Sequence, residues 1–208
     1  MYSQLLFWAV LIALLFAVIM FDLKYSMLRD MSTAGKKPYS FGRVQLAWWS
    51  VIILASFITI VIRRGIPTFD VSTLELLGIS SATTAAARLI DLSDKANPKI
   101  SMTQDEEGQN FFLDILSDEN GVSIHRFQTV VFNLVFGVWL AVSVLQRIND
   151  LALDVSQIIP HIDGNNLILL GVSAGTYVAL KSTENKESES QAETVADEAA
   201  GAGTTAEG

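Results

Sequence analysis

Few side chains in this chain suit chemistry. Its 208 residues include two histidines, His125 and His161, and no cysteine. That excludes thiol nucleophiles, disulfides and cysteine-ligated metals, and two imidazoles are a thin basis for a histidine metal centre. The acidic run Asp118-Glu119-Asn120-Gly121 has the composition of a calcium loop. Its register fails, because the loop would start at Leu116 and end at Phe127, where a carboxylate is needed. No Ser/His/Asp set, glycine-rich phosphate loop or paired-carboxylate motif stands out, so no catalytic residue, metal or cofactor is expected. Ionisable residues at membrane depth would mark a transporter or proton relay. None lies at the centre of a long apolar run, and Asn133 is the only strongly polar side chain well inside one, with the reach to hydrogen-bond between helices.

The elements that must carry these residues are apolar. Half of the residues are hydrophobic and only 17% are charged, against about 25% in an average soluble domain. The mean hydropathy is +0.40. Residues 1–21 carry no charge, and neither do 44–62 or 127–146. Nineteen residues of helix span about 28 Å, close to the hydrocarbon thickness of a bilayer. In lipid a helix satisfies its own backbone groups, so each run is expected to span. The first run lacks a basic leading region and a small-x-small cleavage site, unlike a signal peptide. Residues 76–87 and 164–180 are weaker, being shorter and rich in Gly, Ser, Ala and Thr. That composition suits helices surrounded by other helices. The expected fold is therefore an all-α integral membrane protein with about five transmembrane helices.

The charges divide this framework. With five spans, eleven of the fourteen bases fall on one side, and Arg63, Arg64 and Arg147 on the other. The positive-inside rule then puts the N-terminus outside and the C-terminus in the cytoplasm. Trp48 and Trp49 fall near the inner headgroup level, where indoles anchor, and His125 beside Arg126 reads as an interfacial residue. Residues 182–208 hold seven acids and one base, thus six of the eight net negative charges, and no aromatic. Such a segment buries too little apolar surface to order itself and reads as a disordered acidic tail. The net charge of −8 also argues against nucleic acid as a partner.

Two blocks recur. Ser40, Arg43 and Gln45 match Ser123, Arg126 and Gln128 at a spacing of 83, and LLGISSAT from Leu76 matches LLGVSAGT from Leu169 at a spacing of 93. Matched blocks in the same order suggest a parallel internal repeat of two two-helix hairpins. The expected organisation is a first span (1–21), a basic cytoplasmic linker (22–43), a first hairpin (44–90), a cytoplasmic segment (91–126), a second hairpin (127–181) and the tail (182–208). Within the repeat, Gly78 and Ala82, and Gly171 and Gly175, are small residues four apart that allow close backbone approach. With Ser81 and Thr176 beside them, these positions suit packing between the third and fifth spans or the lining of a polar path. Asp70 and Glu75 lie near the outer end of the third span, where copies around a ring would form an acidic mouth. The bland alternatives are that Glu75 favours a helix N-terminus or pairs with Arg63 or Arg64.

In the cytoplasmic segment, Phe111, Phe112, Ile115 and Leu116 share one face of a short amphipathic helix, with Asn120-Gly121 as its C-cap and Ser123 placed to cap the next span. Its acids disfavour anionic lipid, so docking under the bundle or onto a neighbour is expected. The blocks PYSFGRVQLAWW, FFLDILSDENGVSIHRFQ and LLGVSAGTYVALK resemble a group of small uncharacterised bacterial inner-membrane proteins. The resemblance covers roughly 39–181 and implies a bacterial inner (plasma) membrane setting, with no activity to transfer. The leading functional expectation is a non-enzymatic membrane protein that self-associates into a homo-oligomer, with a channel as one form. Its alternative is a scaffold or anchor subunit recruiting a cytoplasmic protein partner. An intramembrane enzyme ranks last.

Overall fold

A computed structural model of the chain describes residues 2–30, 35–67, 71–95, 107–118 and 121–171. The chain is mostly helical: α1 (Tyr2–Tyr25), α2 (Phe41–Arg64), α3 (Val71–Lys95), the short α4 (Phe111–Leu116), α5 (Ile124–Arg147) and α6, helical over 164–171. A 3-10 turn, Val155–Gln157, precedes α6. Three helices, α1, α2 and α5, are long and apolar enough to cross a membrane. They coincide with the three uncharged runs because each extends a charge-free sequence to the length a bilayer requires. The chain is thus compatible with insertion through at least these helices. The expected third segment lies inside the 25-residue α3, and the start of the fifth inside α6.

α2 is the hub, packing against α1, α3 and α5. Its buried side includes Trp49, Ile52, Ile53, Ala55 and Ile60, which join Phe7 of α1, Leu76 of α3, Leu140 and Val144 of α5 and Leu170 of α6 in one core. α1 contributes Phe7, with Val10, Leu11 and Leu14 packed beside it, and leaves most of its apolar side chains exposed, as a helix bordered by lipid would. α2 stops at Gly65, whose φ of +73° lets its N–H return to the Val61 carbonyl at 2.9 Å, a left-handed closure that glycine makes without strain.

One end of the bundle gathers the α1–α2 connection, the last turns of α3, α4 and the start of α5. Ile115 is buried there with Phe41 and Ala87. Asp22, itself buried, accepts the Leu28 N–H and lies 3.7 Å from the Arg29 guanidinium, which stacks 4.6 Å over the Tyr39 ring. The opposite end is closed by the connection after α5, whose Ile148, Ile158, Ile159 and Ile162 enter the main core. There Ser72 Oγ accepts the Ile162 N–H at 2.9 Å, and the Arg64 guanidinium donates to the Asp150 carbonyl.

Three local expectations need correction. α4 ends at Leu116 rather than at Asn120-Gly121. The chain turns instead through a two-residue antiparallel ladder, Ser117–Asp118 (β1) with Gly121–Val122 (β2). Gly121 has φ +99°, the conformation its lack of a Cβ permits, and it serves the ladder rather than a helix end. Ser123 does occupy the N-cap position of α5, but its hydroxyl makes no capping bond. Trp48 and Trp49 do not offer their indole N–H groups outward as headgroup anchors do: Trp49 is buried to 1% exposure and both N–H groups are taken by Asn133 of α5.

Candidate functional site

The most highly connected polar group in the membrane-compatible part is Asn133, in the third turn of α5. Its Oδ1 accepts the Trp49 indole N–H at 2.6 Å and the Gln45 amide at 3.2 Å. Its Nδ2 donates to the Thr129 carbonyl at 2.7 Å, and its own carbonyl accepts the Trp48 N–H at 2.9 Å. Three donors of α2 therefore converge on one residue of α5. One turn on, Gly137 provides the room: a Cβ there would sit 2.4 Å from Trp48 Nε1. An apolar environment offers no competing water, so satisfied donors and acceptors there specify which faces meet. Both polar side-chain atoms of Asn133 have partners, whereas Gln45 Oε1 is buried with no partner among the described residues. This is a packing device. Asn133 was legible as an interhelical hydrogen-bonder. The sequence names Gln45 as part of the repeat and Trp48 and Trp49 as headgroup anchors, not as partners of Asn133, and it does not single out Gly137; the spacing Asn133-x-x-x-Gly137 on an apolar helix opposite paired tryptophans is the available signal.

α3 divides its side chains differently. Leu76, Ser80, Thr83 and Ala87 are buried toward the bundle. Thr83 Oγ1 returns its proton to the Ile79 carbonyl at 2.8 Å, while Thr84 Oγ1 lies 3.0 Å from the Ser80 carbonyl and 3.1 Å from the Gly42 carbonyl of α2. Glu75, Gly78, Ser81 and Ala82 are exposed on the outward side. A Cβ at Gly78 would meet nothing within 4 Å. Gly171, in contrast, faces inward, with Ile79 Cδ1 3.8 Å from where its Cβ would be. Hence α3 and α6 do approach each other, through Ile79 and Gly171, while Gly78 and Ala82 look away from the chain's own core. Glu75 pairs with neither Arg63 nor Arg64. Asp70, Gly175 and Thr176 lie outside the described residues.

The four residues of the amphipathic face also separate. Ile115 is buried and Leu116 packs beside it, whereas Phe111 stacks edge-on to Tyr39 at 5.1 Å and Phe112 is exposed. Asp114 accepts the Tyr39 N–H at 3.1 Å through Oδ2 and the Gln109 N–H at 2.8 Å through Oδ1. α4 is thereby fastened to the linker ahead of α2.

Two further polar groupings lie at the two ends of the bundle. A cavity of about 40 Å³ under the linker is lined by Asp30 and Asp91 and by Arg43 and Arg88, a balanced set of charges. Beyond the far end of α5, Ser156, His161 and Arg147 line an open depression. Ser156 Oγ donates to Asp154 Oδ1 at 3.1 Å, and the Ser156 N–H reaches the same oxygen at 3.1 Å. In a nucleophilic triad the imidazole stands between hydroxyl and carboxylate; here the carboxylate takes both serine donors directly and caps the 3-10 turn. These bonds, the Ser156 N–H foremost, hold the Asp154 carboxyl below its ordinary pKa of 3.8. Among the described residues, no group of three or more His, Asp or Glu side chains is placed to hold a metal ion.

No protein-family model, curated protein or solved structure matches the chain.

Proposed function

We propose that this chain is a non-enzymatic, multi-pass membrane protein that self-associates through the outward face of α3. The observation carrying the reading is that Gly78, Ser81 and Ala82 share an exposed face on which, among the described residues, no neighbour of the same chain rests. Small, hydroxyl-bearing side chains gain little from lipid tails but permit a second backbone to approach closely and hydrogen-bond. Glu75 lies on the same face one turn away. A ring of copies joined there would gather Glu75 carboxylates at one mouth, and a cation-conducting path is the form of assembly this favours.

The proposal includes five spans, with α3 and α6 as interior or re-entrant helices, arranged as two related hairpins. α2 and α5 each have 24 residues, and their first residues, Phe41 and Ile124, follow serines set 83 apart. The backbone at Ser40 (φ −87°, ψ 119°) closely resembles that at Ser123 (φ −92°, ψ 127°). Arg43 reaches back to the Met27 carbonyl, and Arg126 to the Ser117 carbonyl. These correspondences support descent from one unit. The proposed setting is a bacterial plasma membrane, with the acidic tail in the cytoplasm.

The decisive experiment is Gly78→Leu, because open space beside Gly78 means that leucine does not disturb the chain's own fold. Its particle mass in detergent, measured by light scattering, should fall to that of one chain while its thermal midpoint stays that of the parent. Unchanged mass would remove the interface. Planar-bilayer recording of the parent then tests conduction, and silent membranes across voltage would remove the channel.

A further inference from the structure

The segment joining α4 to α5 carries an apolar surface that neither the core nor the α3 face uses. Phe112 is 70% exposed, Val122 62%, Ile124 79% and Phe127 54%. In a soluble protein, large apolar side chains exposed in one short segment would signal a protein partner or a liability. Its level in the bundle points elsewhere.

Ile115 packs with Phe41, the first residue of α2, and beside Val44 and Val130. Val130 lies about 9 Å along α5 from Ile124, at 1.5 Å per residue. α4 therefore lies alongside the opening turns of α2 and α5 rather than beyond their ends. Ile124 and Phe127 are in the first turn of α5, and the exposed apolar stripe continues through Val131, Leu134, Val135, Val138 and Val142. On a membrane-crossing helix that stripe faces acyl chains, so the patch is continuous with a lipid-facing surface. Of the acids that argued against lipid contact, Asp114 is already engaged, both its oxygens accepting backbone N–H groups of Tyr39 and Gln109, while Asp118 stands in β1 beside the paired Gly121, at the side of the foot that the headgroups would meet. Arg126 likewise reaches the Ser117 carbonyl and braces the ladder against α5.

We infer that α4, the β1–β2 ladder and the first turn of α5 form a membrane-embedded foot, whose Phe112, Val122, Ile124 and Phe127 insert at the headgroup–acyl boundary of one leaflet. The occupant of this surface is lipid. Apolar side chains at that depth bind through buried area, and phenyl rings on a short, polar-backed element follow the pattern of interfacial segments. The foot fixes how deeply α5 enters the bilayer, since Ile124 belongs to both. The inference requires α5 to cross the membrane and is independent of self-association through α3.

The absence of cysteine makes the test direct, because a single introduced thiol carries the only label. Phe112→Cys, Val122→Cys and Ile124→Cys of the full chain are each labelled with a nitroxide and reconstituted into phosphatidylcholine vesicles. Their collision rates with oxygen, which concentrates in the bilayer, and with a water-soluble nickel chelate are then compared. Val138→Cys on the α5 stripe serves as the lipid reference and Lys37→Cys in the linker as the aqueous one. All three foot positions are strongly exposed, so the substitutions leave the core intact. The expected result is oxygen-dominated relaxation at 112, 122 and 124, in the sense of position 138 and opposite to position 37. Nickel-dominated relaxation would place the foot in water and overturn the inference. Shielding from both reagents would identify a protein occupant and overturn it too, as would shielding at position 138 by removing the lipid-facing stripe itself.

Discussion

At the α2–α5 contact, Gly137 lies so close beneath the Trp48 indole that a methyl group there would collide with the ring. On the outward side of α3, Gly78 faces open space. The first glycine belongs to a completed joint, in which Asn133 collects donors from Gln45, Trp48 and Trp49. The second belongs to a surface with small residues and, among the described residues, no opposing backbone. Identical residue types thus record two different histories of contact, one inside the chain and one available to another copy. The contrast teaches that a small residue in an apolar helix reports close approach only when something occupies the space it vacates.

The contrast can be broken most forcefully at Gly137. Gly137→Leu should cost about 3 kcal/mol or more, since overpacking of this kind forces the indole and the helix axis to move. Thermal unfolding in detergent would read it as a large fall in midpoint, and a parental midpoint would mean that the joint is not tight. Asn133→Leu comes next, at about 1–3 kcal/mol, because the Trp49 and Gln45 donors are left unsatisfied in a dry contact. The same melt checks it. Asn133→Gln, which keeps the chemistry but not the reach, should recover only part of the loss. Gly78→Leu should change the melt of the isolated chain by less than about 0.5 kcal/mol, as surface substitutions do, while altering assembly mass. Equal effects of Gly78→Leu and Gly137→Leu on the melt would erase the distinction between the two surfaces.

The smallest effect lies outside the membrane-spanning helices, at Asp154. Its carboxyl titrates below 3.8 because Ser156 donates to the charged form. A depressed folded-state pKa means that its stabilisation is present above pH 3.8 and is lost as the pH falls through the lowered value. Side-chain NMR of Asp154 should follow that titration. Asp154→Asn should remove the acid-dependent change in the 3-10 turn while leaving the core unaltered.

How much of this could be read from residues alone depended on whether the cause was local. The three apolar runs are charge-free for a bilayer's length, and α1, α2 and α5 follow them closely. Asn133 stood out because an amide in an apolar helix must find a partner. The direction of the tryptophan pair was not legible, since an indole suits a headgroup or a buried acceptor equally well and only the position of α5 decides. The end of α4 is not legible because a glycine such as Gly121 suits a helix end and a positive-φ ladder position alike, and the pairing of Ser117 with Val122 decides for the ladder. Of the small-residue positions, Gly171 meets Ile79 while Gly78 meets nothing. That difference lies in the rotation of α3 about its axis, which a one-dimensional pattern does not fix.

The connection after α5 has a practical consequence. Ile158, Ile159 and Ile162 are sealed into the core, and the Ile162 N–H is held by Ser72. An epitope tag or glycosylation acceptor inserted there to map sidedness would dismantle the bundle before reporting on it. Residues 65–67, exposed between α2 and α3, are the safer address for such a reporter.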